Sequence, residues 1–189
     1  MDTIKTILSR RTVRKFKQDK IERKTLESLI NGARLAPSGG NLQPLKYIIV
    51  DKEEEVKKIY ENVAWAKYLG ENFKQNEDER PTAFIAVLVD TDIKKNGYEI
   101  DLGAAVENIL LGAYSEGIGT CWMGAINKKE ISKILRIPDR FLLNTVIALG
   151  YKGEFPTTVD TEDSIIYYKG EDGELCVPKR KLEDIILEF

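Results

Sequence analysis

Leu102-Gly103-Ala104-Ala105-Val106-Glu107-Asn108-Ile109-Leu110-Leu111-Gly112-Ala113-Tyr114 is the stretch whose reading decides the architecture. Its apolar residues cover most of a helical circumference instead of one stripe, the pattern of a central helix with neighbours on nearly every side. Gly103, Ala104, Ala105, Gly112 and Ala113 are small enough to let another helix approach closely. A chain of 189 residues builds one core, and a single copy would struggle to cover such a helix all round. The expectation is a buried helix that also wants a partner surface.

Working outward, Asp2 can cap a short helix whose apolar positions Ile7 and Leu8 follow Ile4 at spacings of three and four. A helix over 22–35 carries the stripe Leu26, Leu29, Ile30 and Ala33, and Pro37 stops it. A strand over 45–50 follows, then an amphipathic helix over 52–63 through Val56, Ile59, Tyr60 and Val63. Residues 83–89, 119–125 and 142–149 read as strands, and Asn127 with Glu130 forms a capping box for a helix over 128–136. Segments 165–168 and 175–177, around Gly170-Glu171-Asp172-Gly173, suggest a hairpin or extended arm. A short helix over 181–189 closes the chain. Residues 64–82 mix Trp65, Tyr68 and Phe73 with the polar run Gln75 to Arg80, as a lid excursion would. With no repeat, linker or low-complexity segment, 1–189 reads as one domain of mixed α and β.

Composition excludes several chemistries. There is no histidine, so His-based triads are impossible and the commonest metal ligand is missing. Cys121 and Cys176 are the two cysteines, too few and too far apart for a disulfide framework or a zinc site. The formal charge is -2, which argues against a polyanion or nucleic-acid partner. No apolar run reaches the roughly 18 residues that a membrane span needs, and a cytoplasmic location is the expectation.

Three short stretches carry candidate chemistry. Arg10-Arg11-Thr12-Val13-Arg14-Lys15-Phe16-Lys17 holds five cations in eight residues, anchored by the apolar Val13 and Phe16. Fixed guanidinium groups suit a phosphate because each presents a planar fork of donors. The same stretch also reads as a solvated basic turn paired with acids elsewhere. Pro37-Ser38-Gly39-Gly40-Asn41-Leu42-Gln43-Pro44 offers close backbone approach at its glycines and donors and acceptors at Ser38, Asn41 and Gln43, or is simply a polar helix-to-strand turn. It is not a P-loop, and no GxGxxG occurs. Gly117-Ile118-Gly119-Thr120-Cys121-Trp122-Met123-Gly124-Ala125 is either an ordinary core strand or an edge against which a flat aromatic ligand can lie.

In order along the chain, these stretches resemble the nitroreductase family of flavoproteins. The likeness also takes in Asp101-Leu102-Gly103 with Asn108, Leu149-Gly150-Tyr151 and Pro178-Lys179-Arg180-Lys181. It implies an α+β, nitroreductase-like fold: a central, mainly antiparallel β-sheet flanked by helices, in an intertwined homodimer. It also implies FMN at the interface of two subunits. Arg10, Arg11, Thr12 and Arg14 would grip phosphate, ribityl chain and pyrimidine edge, with Lys179 and Arg180 helping at the phosphate. Ser38, Gly39 and Asn41 would reach the flavin from the partner, with Gln43 supporting that loop. Trp122, Met123 and Gly124 would lie along the dimethylbenzene-to-N5 side, the Gly124 N–H being a candidate donor to N5.

The implied reaction is ping-pong hydride transfer from NADH or NADPH through flavin N5 to a small-molecule acceptor such as a nitroaromatic, a quinone or another flavin. The cofactor carries the chemistry, so no side chain is assigned as catalytic. The alternatives are a member of the superfamily that fragments reduced flavin, and a non-catalytic FMN-binding redox protein. The chain is shorter than the better-known members, so the excursion that shapes the substrate pocket is truncated to 64–82.

Overall fold

A computed structural model describes residues 2–70, 73 and 75–188. Asp2 caps α1 (Thr3–Ser9), its carboxylate accepting the Lys5 N–H at 3.4 Å. An extended segment runs into β1 (Phe16–Lys17), followed by α2 (Arg23–Arg34), β2 (Leu45–Val50) and α3 (Glu53–Tyr60). After the 64–82 excursion come β3 (Ala83–Asp90), α4 (Glu99–Ser115), β4 (Ile118–Met123), α5 (Lys128–Ile134) and β5 (Phe141–Lys152). The chain then builds β6 (Thr157–Thr161), β7 (Tyr168–Lys169) and β8 (Leu175–Arg180).

β5, twelve residues long, organises the main sheet by pairing antiparallel with β1, β3 and β4, while β2 adds to the free edge of β3. Side chains alternate across the sheet. Ile85, Val87, Ile147 and Leu149 face α2 and α4 in one core, whereas Phe84, Ala86, Val146 and Ala148 face α3 and α5 in the other. Helices on both faces explain why β3 is apolar at nearly every position and buried throughout. The expected α+β architecture with an antiparallel sheet is thus present. A second, smaller sheet runs β6-β8-β7, with β6 parallel to β8. No described helix is long and apolar enough to cross a membrane.

Several expectations from sequence need correction. Residues 181–188 form no helix, and Leu182, Ile185, Ile186 and Leu187 are exposed; eight residues are too few to hold a helix without a surface to pack on. Phe189, like residues 71, 72 and 74 of the excursion, lies outside the described residues. The helix expected over 52–63 stops at Tyr60, because Val63 leaves to form a bridge with Ile126. At Asn127 only half of a capping box forms: its side chain accepts the Glu130 N–H at 3.2 Å, but the Glu130 carboxylate turns to Lys133. A complete box sits instead at Asn76 and Glu79. The apolar helix is longer than 102–114, and its own chain covers more of it than expected, burying Leu102, Val106, Ile109, Leu110 and Ala113. What stays open is Ile100, 84% exposed, beside half-buried Gly103, Ala104 and Leu111. The stripe of α1 also points outward, with Ile4, Ile7 and Leu8 exposed.

A pair of glycines sets the position of the basic segment. Gly119 on β4 and Gly150 on β5 are register partners. A Cβ on Gly119 would come within 2.8 Å of the Val13 side chain, and one on Gly150 within 2.8 Å of Phe16. The segment is therefore pressed onto the sheet at two points where no side chain intervenes, and Val13 and Phe16 are fully buried there. The backbone bonds Val13 N–H to Thr120 O (2.9 Å) and Gly153 N–H to Lys15 O (2.8 Å) close the seam. Gly150→Ala should overpack this seam and cost about 1–3 kcal/mol, read as a lower urea midpoint, with faster amide exchange concentrated at 13–17.

Candidate active site

With Val13 and Phe16 as anchors, the arginines take separate directions. Arg10 lies against α4, its Nε 3.4 Å from the Glu107 carboxylate; the two are too poorly aligned for a hydrogen bond, and this buried Nε has no other partner among the described residues. Arg11 is braced within its own chain, donating to Leu8 O at 2.8 Å, to Arg10 O and to Thr158 Oγ1. Burial, and then the neighbouring Arg10 charge, pull the Arg11 pKa below its ordinary value, against an opposing contribution from Tyr114. Arg14 is held by its backbone: its N–H donates to Glu154 at 2.5 Å and its carbonyl accepts from Gln75 at 2.7 Å. Its guanidinium lies 4.6 Å over the Tyr167 ring. Thr12 is half-buried. Crowded guanidinium groups and an unpartnered buried Nε suit an incoming anion.

Thr158 links this segment to the small sheet. It pairs with Val177, and two and three residues further Asp160 pairs with Lys179 and Thr161 with Arg180. A two-residue step along a strand spans roughly 7 Å, which places exposed Lys179 and Arg180 further along the ladder that Arg11 touches.

The loop after α2 is organised by a buried acid. Asp101, in the first turn of α4 and 4% exposed, accepts from Ser38 Oγ at 2.9 Å, Gly39 N–H at 3.1 Å and Lys94 Nζ at 3.1 Å. Ser38 Oγ in turn accepts the Gln43 N–H at 2.9 Å, and Gln43 Nε2 donates to Asn41 O at 3.1 Å. This network holds Gly40, Asn41 and Gln43 at positive φ (60°, 55° and 53°), a conformation that costs energy in the two non-glycine residues. Behind the loop, a cavity of about 370 Å³ opens between apolar walls that include Ile30, Ala33 and Leu45. Among the described residues, no hydrogen bond or ion pair joins this loop to Arg10–Arg14.

The third stretch is the end of β4. Trp122, 42% exposed, donates its indole N–H to Thr145 Oγ1 at 2.9 Å, and that hydroxyl donates to Met123 O at 2.5 Å. The indole is thus fixed while its face remains accessible. Met123 buries its side chain in the core, so only its backbone is available to a ligand. Gly124 is exposed, with nothing within 4 Å of where a Cβ would be. Burial pushes the neighbouring Cys121 thiol up to about 11.

The model of the Nitroreductase family matches residues 7–151. The chain belongs to the nitroreductase family. Two proteins named "Putative NADH dehydrogenase/NAD(P)H nitroreductase" are among those similar to it. One, from Archaeoglobus fulgidus, is 32% identical over 86% of this chain and 92% of its own. The other, from Parabacteroides distasonis, has a crystal structure that matches with a TM-score of 0.69 and 30% identity, covering 89% of this chain and 98% of that one. An FMN-dependent nitroreductase from Clostridium difficile R20291 aligns with a TM-score of 0.65 at 25% identity, covering 80% of this chain and 88% of the other. The matched family region ends at β5, so the small sheet and the exposed apolar tail lie beyond it.

Asp101 belongs to the stretch that carries the family resemblance, yet the residues alone assign it no role. The available signal was its position: an acid on the face of α4 that also carries buried Ala105 needs a polar partner. Lys94 and Ser38, which provide it, come from separate loops. Burial pushes the Asp101 pKa up, but the Gly39 N–H, Lys94 and Ser38 outweigh it, and the net value lies below the ordinary one. A depressed folded value means that the carboxylate stabilises the fold above the unfolded pKa of about 4, and that this is lost as pH falls through the folded value. Asp101→Asn should cost about 3 kcal/mol at neutral pH, the low end for breaking a buried pair. Urea midpoints should show that gap narrowing as pH falls below the unfolded value of about 4. In a Cys176→Ser background, thiolate absorbance from Cys121 should stay absent across roughly pH 7 to 9 in the folded protein and appear on unfolding.

Proposed function

We propose that this nitroreductase-family chain is an FMN-dependent oxidoreductase that takes reducing equivalents from NADH or NADPH and works as a homodimer on small-molecule acceptors. The observation that carries the reading is the arginine segment, seated on Gly119 and Gly150, with the buried Arg10 Nε lacking a hydrogen-bond partner among the described residues. The printed names of the relatives, which include an FMN-dependent enzyme and NAD(P)H nitroreductases, support it.

Bound FMN would supply hydride transfer at N5, linking NAD(P)H to a nitroaromatic, quinone or flavin acceptor. In this reading Arg10 and Thr12 hold the phosphate and ribityl chain, with Lys179 and Arg180 adding charge from the small sheet. Arg11 mainly braces the segment, since its donors are engaged by Leu8, Arg10 and Thr158. Arg14 would present a fixed cation to the cofactor, a charge that would favour its taking up electrons. The Trp122 face and the backbone of Met123 and Gly124 line the opposite side. Ser38, Gly39, Asn41 and Gln43 complete the site from the second subunit. Two features favour that division: the loop makes no described polar contact with the arginines of its own chain, and exposed Ile4, Leu8, Ile100 and the tail residues Ile185 and Leu187 leave apolar surface to cover.

The test is flavin retention. Wild-type protein should be purified yellow and its flavin should be reduced by NADH or NADPH, with turnover of a quinone; flavin breakdown without acceptor turnover would favour the fragmenting alternative. Charge-assisted hydrogen bonds contribute about 1.5–3 kcal/mol, so Arg10→Ala and Arg14→Ala should each weaken FMN binding roughly ten- to a hundredfold without unfolding the chain. Unchanged occupancy in the double variant after extensive dialysis would remove this site.

A further inference from the structure

Away from the arginine segment, α3 and α5 pack on the same face of the sheet and leave between them a cleft of about 670 Å³. Its floor is Ile48 of β2 with Ile134 and Leu135 at the end of α5, all half-buried against the core of that face. One wall is a ridge of cations and one acid: Lys52, Glu55 and Lys58 recur every three residues and so share a side of α3. Arg136, just beyond α5, forms the other wall. None of these residues belongs to the three stretches of the candidate cofactor site. β2 also lies three strands from β4 in the order β2-β3-β5-β4, roughly 14 Å at the spacing of neighbouring strands.

The charges of the cleft do not balance. Glu55 is offset by Lys52 at 3.8 Å, whereas Lys58 and Arg136 are exposed and make no ion pair among the described residues. Arg136 is also held at a φ of 52°. Its N–H donates to Lys133 O at 3.1 Å and the Ile137 N–H to Ser132 O at 2.9 Å, the helix-ending turn whose left-handed position ordinarily belongs to glycine. A side chain costs energy there, and what it places is a guanidinium at the mouth of an apolar cleft. We propose that the α3–α5 cleft is a second ligand site, built for a small amphipathic anion with an apolar body and a single carboxylate, sulfonate or phosphate head. The body lies on Ile48, Ile134 and Leu135, and the head meets Lys58 and Arg136. Charge complementarity selects this occupant: a neutral apolar ligand leaves two cations unanswered, and a bare inorganic anion leaves the apolar floor uncovered. The volume falls inside the roughly 300–1,000 Å³ range of ligand pockets. The site shares no residue with the cofactor reading, so the two stand or fall separately.

The experiment is calorimetric titration of the full chain, saturated with FMN, with sodium octanoate, 1-octanol and inorganic sulfate. Octanoate should saturate one site per chain and bind at least about tenfold more tightly than the neutral alcohol or the bare anion, with affinity falling as sodium chloride is raised. Arg136→Gly and Lys58→Ala should each weaken octanoate roughly two- to fivefold, the range of exposed charge contacts, and at least about fivefold together. Flavin content should be unchanged in both. The urea midpoint of Arg136→Gly should equal or exceed that of the wild type, because glycine relieves the left-handed position, so a loss of binding there is not a loss of fold. No saturable octanoate binding to the wild type, or binding unchanged in the double variant, overturns the site. Octanol or sulfate binding as tightly as octanoate overturns the amphipathic anion as its ligand.

Discussion

The contact between residues 13–16 and the glycine pair Gly119 and Gly150 is the constraint on which the rest of the molecule depends. Two sheet positions lack side chains, and the space they leave is filled by Val13 and Phe16. A basic segment of this kind would otherwise be repelled from the core by desolvation of its charges. Here the apolar anchors alternate with the arginines, so each guanidinium is fixed at its root while its head stays near the surface. The backbone bonds from Val13 to Thr120 and from Gly153 to Lys15 then make the segment an extension of the sheet.

The second organising point is Asp101. A single carboxylate collects the Ser38 hydroxyl, the Gly39 amide and the Lys94 ammonium, and through Ser38 it reaches Gln43. The strain of positive φ at Asn41 and Gln43 is held by this charge-assisted network, which explains how a loop with two glycines is kept in one conformation. α4 bears Asp101 near its start and, further along, Glu107 beside Arg10. The six-residue step from one to the other rotates the helix by about 600°, so they point to different sides. One helix thus carries the Asp101 network and the Arg10 contact on different sides.

Much of this was legible in residue patterns. The stripe of α2, the full burial of β3 and the seam of small residues on α4 followed from periodicity, because burial dictates which positions must be apolar. The three chemistry-bearing stretches stood out by composition and by their order along the chain. Elements governed by distant contacts were not legible. β1 and β6 are too short or too polar to announce themselves and exist because β5 and β8 pair with them. The tail 181–188 has a helical apolar pattern but no surface of its own chain to fold against.

By itself, then, the sequence determined the family, the sheet-and-helix order and the residues that can bear chemistry, since these depend on local pattern and on residue type. Tertiary structure decided what each of those residues is free to do. Arg10, Arg11 and Arg14 look alike in the chain, yet one keeps a buried Nε without a hydrogen bond, one is braced on Thr158 and one lies on Tyr167. Met123 and Trp122 are neighbours, yet one faces the core and the other exposes its ring. Asp101 acquires its role from Lys94, Ser38 and Gly39, which only folding brings to it. Partners separated by tens of residues are selected by packing, and no local pattern encodes which ones will meet.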